Sequence, residues 1–193
     1  MKNKGFLTAL LVFITPFLVI TLSTVWYYSG LGPSGKVNYG EMITPPIAIG
    51  DLDLELNFQP LNIDTMERKW MLIHFVKGVC EEKCQQSLYF SRQINTAIGR
   101  EQERVKRFLV GIDNNSNELE IILKEYPRLA LIKSNNPSAI TEVMGLKSIS
   151  AFEQPGFFLA DPLGNIILLY QGEIDPKKIL SDIKKLLRAS KIG

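Results

Sequence analysis

From Phe6 to Tyr28 the chain runs 23 residues without a charged side chain. A helix needs roughly 20 apolar residues to cross the hydrocarbon layer, so this stretch is predicted to span a membrane once. A cleaved signal peptide is the competing reading, but its apolar region is usually about 7–15 residues long and ends at small residues. Here Trp26, Tyr27 and Tyr28 close the run, as in an aromatic belt, and Lys2 and Lys4 precede it. The positive-inside rule then leaves the N-terminus in the cytoplasm and sends the rest of the chain to the far side. Pro16 lies near the middle of the span, where a membrane helix tolerates it. The expected organisation is residues 1–5 cytoplasmic, 6–28 transmembrane, 29–47 a Gly- and Pro-containing tether and lead-in, and 48–190 one soluble domain.

About 150 residues suffice for one domain with a real core and leave no room for a second. The 22 basic and 20 acidic residues are well mixed, so no stripe invites nucleic acid, and none is expected as a partner. Two cysteines and one histidine rule out a four-ligand Cys/His zinc site and most hydrolase triads.

The soluble part reads as strands alternating with helices. Asp51–Leu56 alternates apolar and polar residues, as a half-buried strand does. Trp70–Val76 is almost continuously apolar, which suits a central strand covered on both faces. Gly78 breaks it, and a helix is predicted over Glu82–Ile98. Arg107–Ile112 reads as a strand, Asn117 as the cap of a helix ending at Glu125, and Leu129–Ile132 as a short extended piece. Ser138 is placed to cap a helix to Met144, with Gly145 at its end. Gly156–Ala160 and Asn165–Tyr170, joined by Asp161-Pro162-Leu163-Gly164, form a hairpin signal. Asp175-Pro176 opens a last helix with Ile179, Leu180, Ile183, Leu186 and Leu187 as its apolar stripe. The expected fold class is α/β, a mixed sheet flanked by helices.

Cys80 and Cys84 fall where the central strand turns into a helix. Free amides and the helix dipole stabilise a thiolate there. A disulfide between them closes a very short loop, which limits what it adds to stability. Two sulfurs on one helical turn suit either a reversible dithiol–disulfide couple or Cu(I). A passive structural disulfide in a non-catalytic binding module is the third reading.

Strand, Cys80-x-x-x-Cys84, helix and a late hairpin carrying Phe158-Leu159-Ala160-Asp161-Pro162-Leu163-Gly164 resemble the Sco/SenC branch of the thioredoxin-like superfamily. Trp70, Cys80, Cys84, Leu88, Arg92-Gln93, Gly99-Arg100-Glu101 and Arg104-Val105-x-Arg107 resemble, more specifically, bacterial transmembrane proteins associated with cytochrome c oxidase assembly. The resemblance implies a thioredoxin-like domain, anchored in the bacterial inner membrane and facing the periplasm. It implies an immature oxidase subunit or another assembly factor as partner, and copper or none as cofactor. A general periplasmic thiol–disulfide oxidoreductase is the alternative. Sco proteins place a third copper ligand, a histidine, where this chain has Glu153, so Cys80, Cys84 and Glu153 are the candidate metal ligands. Pro155 stands where thioredoxins carry a cis-proline beside the cysteines, and Gln154–Pro155 is predicted to be cis.

His74, on the core strand, reads as a buried histidine with one satisfied hydrogen bond; a ligand role would require it to project toward the cysteines. Met144 reads as core filling. Arg92, Arg100, Arg104 and Arg107 read first as a solvated helix end and second as a partner-docking face. Asp161 and Gly164 belong to turn geometry.

Overall fold

A computed structural model describes residues 3–29, 38–56, 59–62, 64, 66–112, 116–134, 136–146 and 156–192. The chain divides into two units, Met1–Val37 and Asn38–Gly193.

The first unit is built on helix α1, Asn3–Tyr28, which stays helical through Pro16. Its stretch Lys4–Tyr28 is long and apolar enough to cross a membrane, with mean hydropathy 2.4. The hydroxyls of Thr8, Thr15, Thr21 and Thr24 donate to carbonyls four residues back, so these side chains carry their own acceptors. That removes the cost of placing a hydroxyl in hydrocarbon.

The second unit is a mixed sheet, thioredoxin-like in fold, flanked by helices. Its strands are β1 (Glu41–Ala48), β2 (Leu54–Leu56), β3 (Gln59–Pro60), β4 (Trp70–Lys77), β5 (Val105–Ile112), β6 (Leu129–Ser134), β7 (Gly156–Ala160) and β8 (Asn165–Gln171). Its helices are α2 (Glu82–Ala97), α3 (Ser116–Glu125), α4 (Pro137–Leu146) and α5 (Pro176–Ala189). Among the described residues the strand order is β1-β8-β7-β4-β5-β6-β2-β3, with β4, β5 and β6 parallel and every other pairing antiparallel.

Side chains alternate across a strand, and β4 uses both faces. Met71, Ile73 and Phe75 join Phe108, Val110, Ile140 and Met144 on the face covered by α4. Trp70 and Leu72 join Ile94, Phe157, Ile179 and Ile183 under α2 and α5, while Val76 meets Leu88, Leu109 and Leu119. Close approach of α3 depends on Gly111, where a Cβ would lie 2.7 Å from Leu119 Cδ1.

Several elements differ from the sequence expectation. The lead-in expected up to residue 47 is a strand from Glu41 onwards, pairing with β8 as a sheet edge. Pro45 and Pro46 lack ladder N–H groups, and the register shifts between Met42 and Ile47 as the chain passes them. The peptide Thr44–Pro45 is cis. The alternating stretch Asp51–Leu56 is not one strand: Ile49–Leu52 is a 3-10 turn, Asp53 has φ +47°, and β2 begins at Leu54. Both Leu52 and Leu54 are buried, so the alternation reflects a turn that returns the chain to the core. Helix α3 starts at Ser116, ahead of the predicted cap Asn117. Asn136, not Ser138, caps α4, its Oδ1 accepting from the Ala139 N–H at 3.2 Å.

The closing elements follow the sequence. Asp161 Oδ1 accepts from the backbone N–H groups of Leu163 and Asn165, both at 2.9 Å, which fixes the hairpin turn. Asp175 Oδ1 accepts from Lys177 and Lys178 N–H and opens α5. What the apolar stripe of α5 did not announce is Asp182 within it. This buried carboxylate accepts from Tyr39 N–H at 2.6 Å and Gly40 N–H at 3.1 Å, and so ties the entry to β1 to the last helix. Asp182→Ala leaves those two amides without an acceptor. Urea unfolding of residues 38–193 should then show a loss of about 1–3 kcal/mol, with faster hydrogen exchange at Tyr39 and Gly40; unchanged stability and exchange would show that the carboxylate anchors nothing.

Candidate dithiol–disulfide site

The site begins with β4, which ends at Lys77. Gly78 takes φ +70°, a conformation glycine adopts without a Cβ penalty, and its N–H donates to Ile112 O at 3.1 Å. The chain thereby leaves the sheet and enters α2 through Cys80 and Glu81. Glu81 is the N-cap, and its side chain makes no capping bond, so α2 starts with first-turn amides that no cap side chain satisfies.

Cys80 and Cys84 form a disulfide, with Cα atoms 5.2 Å apart. The two sulfurs differ in setting. Cys80 is 2% exposed and packs with Val76, Leu88 and Leu109, while Cys84 is only partly buried at the rim of the same cluster. Gln85 Nε2 donates to Cys80 O at 3.0 Å and holds the turn closed. Cys84 occupies the first turn of α2, where the dipole favours a thiolate once the bond is reduced.

Behind the disulfide runs a buried polar line that the sequence did not reveal. His74 Nε2 lies 2.9 Å from Ser91 Oγ, and Nδ1 lies 3.2 Å from Ser87 Oγ. Ser87 Oγ also donates to Gly156 O at 3.2 Å. Arg107 Nε donates to Ser91 Oγ at 3.2 Å, and its Nη2 donates to Leu88 O at 3.0 Å. His74 is therefore a core histidine with both nitrogens partnered, one more than expected, and its bonds go to α2. Burial, helped by the nearby Arg107 charge, pushes its pKa down to about 3, so the ring is neutral at ordinary pH. Burial likewise lowers the Arg107 pKa to about 10, which leaves a charged guanidinium inside the protein.

The basic stretch read as a solvated helix end divides in two. Arg107 is buried. Arg104 donates to the carbonyls of Leu187, Ser190 and Ile192 and closes the C-terminal end of α5. With Lys106 before it and Arg104 nearby, Arg107 carries no local signal of its burial. Met144 is 1% exposed in the α4 core, as read. Glu153 and the Gln154–Pro155 bond lie outside the described residues. Gly156, next in the chain, is held by Ser87.

Copper fits the site only in part. Two sulfurs on one turn suit Cu(I) after reduction. Among the described residues, however, no group of three His, Cys, Asp or Glu side chains is arranged to hold a metal.

His74 makes the fold sensitive to acid. Its folded pKa of about 3 lies below the ordinary 6.5, so the unfolded chain takes up this proton first as pH falls. The stability tied to the neutral ring is complete above pH 6.5 and is lost as pH drops toward 3. In urea unfolding of residues 38–193, this group should steepen the acid limb by up to about 1.4 kcal/mol per pH unit, and His74→Gln should flatten it. Equal slopes in the two proteins would contradict the assignment.

Solved structures share this architecture. Arabidopsis thaliana ScoI with copper bound is similar at TM-score 0.57 and 16% identity, over 77% of this chain and 99% of that one. Yeast Sco1 with copper bound gives 0.56 at 14% identity, over 81% and 94%. BsSco, a member of the Sco family of cytochrome c oxidase assembly proteins in which a disulfide switch is identified, gives 0.56 at 18% identity, over 81% and 99%. At these identities the likeness is one of fold. No curated protein matches the sequence. The family model for the transmembrane-like, thioredoxin-like, C-terminal domain matches residues 70–190, from the first residue of β4 to just past α5, and the chain belongs to that family.

Proposed function

We propose that this chain is a membrane-anchored, thioredoxin-like protein that assists cytochrome c oxidase assembly through Cys80 and Cys84, by thiol–disulfide exchange or transient copper binding. The observation that carries the reading is the Cys80–Cys84 disulfide at the junction of a central strand and a helix, with one sulfur buried and the other at the rim. In the chain-entropy account a loop this short stabilises by about 2 kcal/mol, against about 3 for fifteen residues. Most of the core lies in two apolar clusters that do not include the cysteines.

Exchange starts from the reduced pair. The Cys84 thiolate attacks one sulfur of a client disulfide, forms a mixed disulfide and releases one client thiolate. Cys80 then attacks Cys84 Sγ, the second client thiolate leaves, and the Cys80–Cys84 bond closes. Two electrons pass to the client, and an external dithiol restores the reduced pair. In the copper reading, the same two thiolates hold Cu(I) as cargo.

Support for an oxidase client comes from the fold shared with BsSco, whose family assembles cytochrome c oxidase. Lys2 and Lys4 before the apolar helix and the aromatic trio after it support a periplasmic domain on a bacterial inner membrane, with the N-terminus cytoplasmic. Anchoring confines the dithiol to the surface where a membrane client sits, which raises the effective concentration of each for the other.

Trapping tests the order of attack. Cys80→Ser should accumulate a mixed disulfide with an oxidised peptide client through Cys84, and Cys84→Ser should accumulate far less; the reverse pattern would overturn the assignment of Cys84, and no adduct in either variant would overturn exchange. For cargo binding, the reduced protein titrated with Cu(I) against a chelator should bind one equivalent, lost in Cys80→Ser. Equal binding by that variant would remove the cysteines from any copper role.

A further inference from the structure

The end of α2 remote from the cysteines carries a second feature that neither exchange nor copper explains. A cleft of about 310 Å³ opens between the last turns of α2, the start of β5 and the α3–β6 turn, lined by Arg92, Asn95, Gln102, Arg107, Tyr126 and Arg128.

Its charge is one-sided. Arg107 is 4% exposed and Arg92 is on the surface, yet among the described residues neither has a carboxylate within ion-pair distance. Both guanidinium carbons stand 5.6 Å from the centre of the Tyr126 ring, which positions two cations against one aromatic. The Arg92 charge adds to the burial that depresses the Arg107 pKa. Among the described residues Arg128 has only Glu103, 3.9 Å away and well exposed, as an ion-pair partner. A buried cation without a counter-charge is costly, and an anion delivered to it gains more than at an open surface.

Donor capacity remains for a ligand. Among the described residues Arg107 spends Nε and Nη2 on Ser91 and Leu88 O, leaving Nη1, and Arg92 makes one long bond of 3.4 Å to Glu125 O. Asn95 and Gln102 are engaged with Val105 O and with each other, so they form a fixed polar wall. The cleft beside α5 differs in carrying its own carboxylate: Glu101 lines it with Arg104, Lys184 and Arg188, and Arg104 is bound to Glu101 and to three backbone carbonyls. We propose that the cleft between α2 and the α3–β6 turn binds a phosphate-class oxyanion, free or as a small phosphomonoester, held by Arg92, Arg107 and Arg128. Three guanidinium groups around one cleft match a tetrahedral dianion, which offers three acceptors and two charges, better than a flat monoanionic carboxylate.

Isothermal titration of the full chain in detergent micelles, at fixed ionic strength and neutral pH, tests this. Separate arms use inorganic phosphate, glycerol phosphate and acetate. Saturable one-to-one binding of phosphate or of the ester supports the site, and whichever binds tighter identifies the source; Arg92→Gln and Arg128→Gln, both at the surface, should each weaken it about tenfold or more. Arg107→Lys is expected to weaken it too, with far-UV circular dichroism reporting whether that buried position still folds. Absence of saturable binding in both phosphate arms, acetate binding as tightly as phosphate, or unchanged affinity in both surface variants would overturn the proposal.

Discussion

Parallel pairing of β4 with β5 along their whole length, from Trp70 opposite Val105 to Lys77 opposite Ile112, is the constraint on which the remaining geometry depends. It buries β4 on both faces, so its side chains are committed alternately to the α4 core and to the α2–α5 core. It also sets His74 beside Leu109 and Leu72 beside Arg107. Because a parallel pair requires a crossover, α2 must return along the sheet from the end of β4 to the start of β5. One end of that crossover helix carries the cysteines, and the other carries the arginine cleft. The polar line His74, Ser87, Ser91 and Arg107 runs between them, buried under the same helix.

Much of this was legible in the sequence, for reasons that differ by element. The apolar run of β4, the capping pair Asp175-Pro176 and the Asp161 turn are local signals, and local chemistry decides them. Strand β1 was missed because Pro45 and Pro46 argue against a ladder, and only an edge position with a register shift accommodates them. The alternation at Asp51–Leu56 misled because a 3-10 turn can bury residues two apart as a strand does. Asp182 and Arg107 were missed for a common reason: a buried charge is stabilised by groups far away in sequence. Tyr39 and Gly40 amides lie some 140 positions from Asp182, and the Ser91 hydroxyl and Leu88 carbonyl sit on a different element from Arg107.

The site was legible in its chemistry and less so in its surroundings. Spacing and position identified Cys80 and Cys84 as neighbours on a strand-to-helix turn, and the structure joins them. Spacing could not say that one sulfur is sealed against Leu88 and Leu109 while the other faces the rim, which decides the proposed order of attack. The roles of Glu153 and Pro155 rested on a family resemblance rather than on local physics. The fold is that of Sco proteins, and the described residues bring no third ligand to the cysteines.

Controlled reduction of the full chain in micelles, followed by amide NMR and thiol alkylation, tests the central claim most directly, that the cysteines are a working couple on a fold that does not depend on their bond. The account predicts a domain that stays folded, spectral changes confined to the residues around β4's end and the first turns of α2, Cys84 alkylated faster than Cys80, and recovery of the starting spectrum on reoxidation. Loss of the folded spectrum on reduction would instead make the disulfide a structural staple and contradict the account.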